Sequence, residues 1–402
     1  MANLEFLKQI ISDNKNDIAF ILGNGIHNYY SHKDDDYNCM SWSDLLKYLW
    51  KTFAKNKQYP SFMSCQYNND ISNTEFFNLL EIEFLSNYKI EEHSFKPLLS
   101  RPINIEYCNK LKGLQHSFEA IELLSKQKSD IKLTRSLQIH DEFKEAHTNL
   151  MMIAQRELGI INDNNIDRIN NIISAINNKA ILMDLSEPIK REIARKMGEY
   201  KDVSGISKIV QFIKRIKAPI LTTNYDTVLS KSIGICDNEI ISLTDDIDNN
   251  WSSYYGEKIE APLMGFGIWH IHGFHNYHKS ISIGATDYMK NVSAALELLP
   301  NNLALAQLEK SNWLGFNTWL SIIFNKSLFM FGLKLDIDET FIRWLLIMRY
   351  KYMTIRGNLK KSWYITKSSE NFPCAKRYFL ESVGFEIVDI PNWDILYEKV
   401  WE

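Results

Sequence analysis

Short apolar runs alternate with helix-like patterns over much of this chain. The first run covers residues 17–23 and ends in glycine, and a second, at residues 219–222, ends in small hydroxyl side chains. Similar runs lie at residues 239–243, 268–272, 280–284, 328–332, 362–366 and 386–390. Short apolar strands that alternate with helices of about 8 to 15 residues are typical of a parallel sheet covered on both faces. We therefore predict an α/β fold with a doubly wound parallel sheet.

The alternation is interrupted once, by a long segment with almost no strand pattern. Helical periodicity covers residues 75–88, 106–125, 140–158, 166–178 and 187–200. We therefore predict a sheet-bearing domain made of residues 1–72 and 204–402, with residues 73–203 as a helical insertion. Before the insertion, residues 24–37 are polar and aromatic, so we predict a long loop there and a helix that begins near Ser41, a good N-cap residue.

Three of the predicted strands end in polar or glycine-rich residues. These ends are Gly23-Asn24-Gly25, the stretch Thr222-Thr223-Asn224-Tyr225-Asp226, and His272-Gly273. Because ligands of open α/β sheets collect outside the carboxyl ends of the strands, we expect the three stretches to form one site.

Each stretch also fits a simpler structural explanation. Gly23 and Gly25 fit a tight turn, since the full Gly-x-Gly-x-x-Gly pattern is not present. Asn224 and Asp226 fit an Asx-turn that caps the next helix. His272 is one of four histidines between residues 270 and 278, and in a strand His270 and His272 would face the same way, so a metal site is conceivable. No cysteine or carboxylate ligand run accompanies them, and we expect no metal.

Composition narrows the functional class. The 402 residues carry a net charge of −3 and are 45% hydrophobic, which favours a globular protein and gives no basic footprint for nucleic acid. The five cysteines are scattered without a Cys-x-x-Cys pair, which fits free thiols in a reducing compartment. No apolar run approaches the length of a membrane span, and the N-terminus lacks a leader pattern. We therefore expect a cytoplasmic protein.

The three polar strand ends resemble those of the sirtuin-like family of bacterial NAD-consuming proteins, whose sheet is Rossmann-like. Residues 222–226 match the family's Thr-Thr-Asn-Tyr-Asp segment without a change, and His272-Gly273 matches its His-Gly pair. Residues 23–27 resemble its glycine turn, residues 41–46 its next helix start, and residues 282–288 its Asp-Tyr helix start. The resemblance covers residues 17–72 and 204–402.

The chain departs from the family in three places. The two Cys-x-x-Cys pairs of protein-deacylating sirtuins are missing, which argues against acetyl-lysine hydrolysis. Leu333 and Lys334 stand after Gly332, where the family usually has a Tyr-Ser pair. His27 replaces a serine in the glycine turn that begins at Gly23.

The resemblance implies an NAD glycohydrolase, with NAD as substrate. Asn224 would hold the attacking water or the ribose, His272 would act as base, and Asp226 would help to position the site. Gly273 would leave room for the ribose beside the imidazole. The residues that the resemblance assigns to NAD binding are Gly23, Asn24, Gly25, Thr222, Thr223, Gly273 and Gly332. Two alternatives stay open, a non-catalytic module that senses NAD or ADP-ribose and regulates a partner, and a protein deacylase.

The resemblance also implies a biological setting. NAD-depleting relatives act in anti-phage defence by abortive infection, and a freely active enzyme would poison its own host. We therefore expect a homo-oligomer with the helical insertion as a contact surface, and activation by a HerA-class hexameric ATPase or a phage-derived activator.

Overall fold

The computed structural model describes residues 4–34, 37, 39–54, 58–60, 72–85, 186–201, 203–244, 250–300, 313–368 and 372–402. The chain divides into two compact units, one made of Met1–Glu83 and Glu187–Glu402 and the other of Phe84–Ser186. The first unit contains the sheet and every element discussed below. The helices predicted between residues 106 and 178 lie outside the described residues.

Eight strands form one sheet. They are β1 (Ile18–Leu22), β2 (Ile220–Thr222), β3 (Ile241–Ser242), β4 (Ser253–Gly256), β5 (Gly267–His270), β6 (Ser327–Phe331), β7 (Ser362–Lys367) and β8 (Phe385–Ile390). Their order across the sheet is β3-β4-β5-β2-β1-β6-β7-β8. Six consecutive strands of this order, β5-β2-β1-β6-β7-β8, are parallel to one another, as predicted.

One edge of the sheet differs from the prediction. β4 was not predicted, and it pairs antiparallel with both β3 and β5. Residues 280–284, predicted as a strand, instead form the end of a 3₁₀ turn (His278–Ser280) and an irregular segment outside the sheet. The sheet is therefore mostly rather than entirely parallel. A short apolar run such as Ile281 to Ile283 predicts a buried segment, and this segment is indeed buried. A buried segment need not be a strand, however, because other packing can also bury it.

Helices cover both faces. They are α1 (Leu4–Asn14), α2 (Gly25–Ser31), α3 (Trp42–Phe53), α4 (Asn73–Leu85), α5 (Glu187–Gly198), α6 (Ser204–Arg215), α7 (Val228–Lys231), α8 (Ala285–Leu298), α9 (Trp319–Asn325), α10 (Thr340–Arg356) and α11 (Cys374–Ser382), followed by a π-helical turn at Ile395–Lys399. Side chains of β1 alternate between two cores, with Phe20 in one and Ile21 in the other. Because both of its faces are buried, the central strand β1 is apolar at every position.

The start of α3 follows the prediction, and α2 does not. The Ser41 hydroxyl accepts a hydrogen bond from the Asp44 N–H at 3.1 Å, which caps α3. The segment predicted as a long loop contains the seven-residue helix α2. Its buried residues Ile26, His27 and Tyr30 lie on one helical face, a pattern too short to stand out in a stretch rich in polar residues.

Two helices from the range predicted as an insertion belong to the core of the first unit. Phe76, Phe77 and Leu80 of α4 and Ile189 and Ile193 of α5 are fully buried there. Among the described residues, no helix is both long enough and apolar enough to cross a membrane.

Candidate active site

Three glycines bring the ends of β1 and β6 into backbone contact. The Gly25 N–H donates to the Gly332 carbonyl at 2.7 Å. A Cβ atom on Gly23 would lie 2.6 Å from the Gly332 oxygen, and one on Gly25 would lie 2.6 Å from the Gly332 Cα. Gly332 itself has a φ of +68°, which favours glycine. These glycines are therefore required because the end of β1 packs directly on the end of β6. This is a structural reason for the glycines, as the tight-turn explanation was.

The ends of β2 and β5 are adjacent and carry Asn224 and His272. Thr222 is in register with His270, and the Ile271 N–H donates to the Thr222 carbonyl at 2.9 Å. The Thr223 N–H donates to the Leu22 carbonyl at 3.1 Å, which ties the end of β2 to β1. Neighbouring strands lie about 4.8 Å apart, so Asn224 and His272 leave the sheet side by side.

His272 is buried and pairs with a carboxylate that the sequence analysis did not identify. Its Nε2 lies 3.0 Å from Oε2 of Glu339, the residue before α10. The imidazole stacks on the ring of Tyr288, with 5.3 Å between ring centroids. Since a carboxylate only accepts hydrogen bonds, this contact favours the tautomer with the proton on Nε2. Nδ1 then presents a lone pair, and it is buried without a hydrogen-bond partner among the described residues.

Asn224 is held through its backbone and leaves its side-chain amide unpaired. Its N–H donates to the Thr222 hydroxyl at 3.1 Å, and its carbonyl lies 2.9 Å from His270 Nδ1. Burial lowers the pKa of His270 to about 4, so the ring is neutral near pH 7 and Nδ1 is the donor to this carbonyl. The Asn224 Nδ2 is buried and has no hydrogen-bond partner within the part of the chain that the structure describes.

Asp226 has both carboxylate oxygens occupied inside the protein. Its Oδ1 accepts from the Val228 N–H at 3.0 Å, which is the Asx-turn, and its Oδ2 lies 3.0 Å from Nε2 of His27. Burial alone raises the pKa of Asp226, but the His27 imidazole and the Val228 N–H lower it further than burial raises it, and the net pKa is below the ordinary value. Asp226 thus connects the end of β2 to α2, a structural role.

His27, which stands where the sirtuin-like pattern has a serine, makes a contact inside the protein. Both it and Asp226 are almost completely buried, and the other ring nitrogen of His27 contacts the Tyr37 hydroxyl. The residue that replaces serine at the glycine turn therefore pairs with the buried aspartate of the Thr-Thr-Asn-Tyr-Asp segment. A sequence pattern does not reveal such a pair, because some two hundred residues separate its members and only the alignment of β1 beside β2 brings them together.

The four histidines between residues 270 and 278 do not converge. His270 contacts the Asn224 carbonyl, His272 contacts Glu339, His275 lies 2.9 Å from the Thr227 hydroxyl, and His278 lies 3.2 Å from Glu187. The strand ends at His270, so His272 is not on the same strand face. Within the described residues no group of three or more histidine, cysteine or acidic side chains could hold a metal ion.

Two further residues were expected at the site, Asn24 and Gly273. Asn24 is half-buried, and its side chain donates to Asn28 at 3.4 Å. Gly273 was expected to leave room for a ribose, but a Cβ there would lie 2.1 Å from the Ser280 carbonyl oxygen. The space beside Gly273 is therefore filled by protein backbone, and the expected reason for this glycine was wrong.

Replacement of Gly273 by alanine should destabilise the protein by more than about 2 kcal/mol, since it combines a φ of +84° with the clash against Ser280. Gly234 is a matched control, with a φ of +80° and no atom within 4 Å of a Cβ. Gly234→Ala should cost about 1 kcal/mol, the conformational part alone. Urea denaturation of both variants measures the difference, and equal losses would show that the close approach at Gly273 costs nothing.

The candidate site thus consists of Asn224, His272 and Glu339, supported by the Asp226–His27 pair and by the three-glycine contact. No protein-family model and no curated protein matches this sequence.

Proposed function

We propose that this chain is an NAD glycohydrolase, which cleaves the bond between nicotinamide and ribose to give nicotinamide and ADP-ribose. The proposal is carried by one observation. Asn224 Nδ2 and His272 Nδ1 are buried polar atoms at adjacent strand ends, and neither has a hydrogen-bond partner among the described residues. Buried polar groups in folded proteins are nearly all paired, so an unpaired donor and an unpaired acceptor on two adjacent strand ends fit a site that binds a ligand.

The strand order supports a dinucleotide as that ligand. Counted along the chain, the six parallel strands lie in the order third, second, first, fourth, fifth, sixth. This is the order of Rossmann-like sheets, in which the ligand lies outside the carboxyl ends where the order reverses. Here the reversal falls between β1 and β6, at the three-glycine contact. The diphosphate would lie near this contact and the nicotinamide ribose toward Asn224 and His272.

The arrangement suits water attack on a glycosidic carbon. In the reaction, water oxygen bonds to C1′ of the ribose, and the bond from C1′ to the pyridinium nitrogen breaks with its electron pair passing to nicotinamide. The water proton passes to Nδ1 of His272, whose lone pair is available because Nε2–H faces Glu339. The Asn224 amide would donate to a ribose hydroxyl or to the water and hold it in line. A neutral leaving group needs little further assistance.

An NAD-consumption assay tests the proposal directly. We expect the purified protein, alone or with an activator, to release nicotinamide and ADP-ribose in equal amounts. Saturable NAD binding without any product under every activating condition would contradict hydrolysis and would support an NAD-sensing module instead. Release of nicotinamide only in the presence of an acetylated peptide would indicate a deacylase.

The proposed activity must be kept inactive in a healthy cell, because depletion of NAD stops growth. We propose a homo-oligomeric anti-phage effector whose activity depends on assembly or on a separate activator, such as a HerA-class hexameric ATPase or a phage product. Light scattering combined with the same assay decides the point. A monomer that hydrolyses NAD at its full rate without any partner would contradict this setting, although it would leave the hydrolase proposal intact.

A further inference from the structure

A buried ion pair joins α5 to α8 next to the segment that follows His272. Lys190 of α5 places Nζ 2.9 Å from both carboxylate oxygens of Asp287, in the first turn of α8. The side chains are only 9% and 12% exposed. Removal of one partner of a buried pair is costly, because the other charge stays buried without its partner.

Asp287 connects this pair to the segment that follows His272. Its Oδ2 accepts a hydrogen bond from the Ile283 N–H at 3.2 Å. The preceding residue, Ser282, donates its N–H to the His272 carbonyl at 2.9 Å. The Lys190–Asp287 pair therefore holds the backbone that in turn holds His272.

The same backbone segment also reaches Asn224. The Ser282 carbonyl accepts a hydrogen bond from the Tyr225 hydroxyl at 2.7 Å, and Tyr225 directly follows Asn224. Ser282 thus bonds through its N–H to one residue of the candidate pair and through its carbonyl to the neighbour of the other. Ser282 is therefore hydrogen-bonded to both of the strand ends that carry the candidate pair.

α5 makes a second contact with this segment. Glu187, in its first turn, pairs with His278 at 3.2 Å, in the 3₁₀ turn between His272 and Ser282. Burial and Arg191 also act on Glu187, but the contact with His278 is the largest influence and lowers the pKa of Glu187 to about 2. α5 is thereby attached to the segment at two points by charged side chains.

We propose that Lys190 and Asp287 are positioning residues for the Asn224–His272 pair, acting through the backbone of Ile283 and Ser282. The inference rests on the proposed NAD hydrolysis for its effect on rate, but not for its effect on structure. A positioning role predicts a loss in kcat with little change in KM, since the NAD contacts themselves stay in place.

The experiment compares Lys190→Met with Lys196→Met in the full-length protein. Lys196 lies on the same helix and is half-buried, and it pairs at 3.1 Å with Glu199, whose side chain is 51% exposed, so it is a matched control. We expect Lys190→Met to lower kcat on the order of tenfold or more, because small misplacements of reacting groups are costly. KM should stay within about twofold of the wild-type value. Lys196→Met should match the wild type, and Lys190→Arg should recover much of kcat.

Amide hydrogen exchange supplies a readout that does not depend on catalysis. In Lys190→Met the exchange of the Ser282 and Ile283 amides should become faster, whereas amides of β7 should keep their wild-type protection. If Lys190→Met does not fold, Asp287→Asn replaces it, since it removes the charge and keeps an acceptor for Ile283. Unchanged exchange at residues 282–283, or a kcat equal to that of Lys196→Met in an active enzyme, would overturn the proposal. Faster exchange in a protein that never cleaves NAD would support the positioning role and reject the hydrolase.

Discussion

His272→Ala and Asn224→Ala should each lower the rate of NAD cleavage by on the order of 10² or more, while the protein stays folded. His272 supplies the only acceptor nitrogen of the pair, and Asn224 supplies the unpaired donor beside it. Both groups serve one step, so the loss should be in kcat more than in KM. Initial rates of nicotinamide release over a range of NAD concentrations separate the two parameters.

The double variant and one control sharpen this test. If Asn224 and His272 act in the same step, the double variant should be little slower than either single one. His32→Ala is the control, because His32 is exposed at the C-terminal end of α2. His270 is a poor control, since it contacts the Asn224 carbonyl, and so is His278, since it connects α5 to the segment that follows His272. Normal nicotinamide release by His272→Ala would exclude the proposed base.

Asp226→Ala should lower the free energy of unfolding by more than about 2 kcal/mol, because it leaves two buried polar groups without their partner and each such loss costs about 1 to 3 kcal/mol. The change would leave the His27 imidazole buried without its carboxylate and the Val228 N–H without its acceptor. Asp389→Asn is a surface control, because Asp389 is 39% exposed and its contact with Arg377 is 3.5 Å long. It should cost at most about 1 kcal/mol. Urea denaturation at neutral pH gives both values.

The pH dependence of stability should show whether the charge of Asp226 stabilises the protein or whether the side chain only fills space. Because the folded protein lowers the pKa of Asp226, its contribution to stability is complete above the pKa of an unfolded aspartate, about 3.9. It is lost progressively as the pH falls through the lower folded value. Asp226→Asn keeps an acceptor for Val228 but has no proton to bind. The difference in stability between wild type and Asp226→Asn should therefore shrink below about pH 4. A constant difference down to pH 2 would contradict this assignment.

The prediction of the fold succeeded where burial and local pattern coincide. β1, β6 and β7 are buried runs and β8 is partly buried, and each of the four lies where its apolar run predicts. The errors occurred where burial has a different origin. Residues 281–283 are buried without strand pairing, and β4 pairs at an antiparallel edge that a search for parallel strands misses.

The sequence analysis named two residues of the candidate site, but it did not predict their contacts. Asn224 and His272 were chosen from short segments of sequence, and the sheet places them at adjacent strand ends. Glu339 was missed because the only local signal, an acidic residue at the start of a helix after β6, occurs at the start of many helices.

The sequence by itself determined where the six parallel strands and most of the helices between them lie, because the alternation of apolar and polar positions depends on local geometry and burial. It also determined which polar residues end the strands. Only the tertiary structure decided the partners of those residues: Glu339 for His272, His27 for Asp226, and Lys190 for Asp287. The members of each pair lie between about 70 and 200 residues apart in the chain, so their contacts depend on strand order and helix packing, which no local pattern encodes.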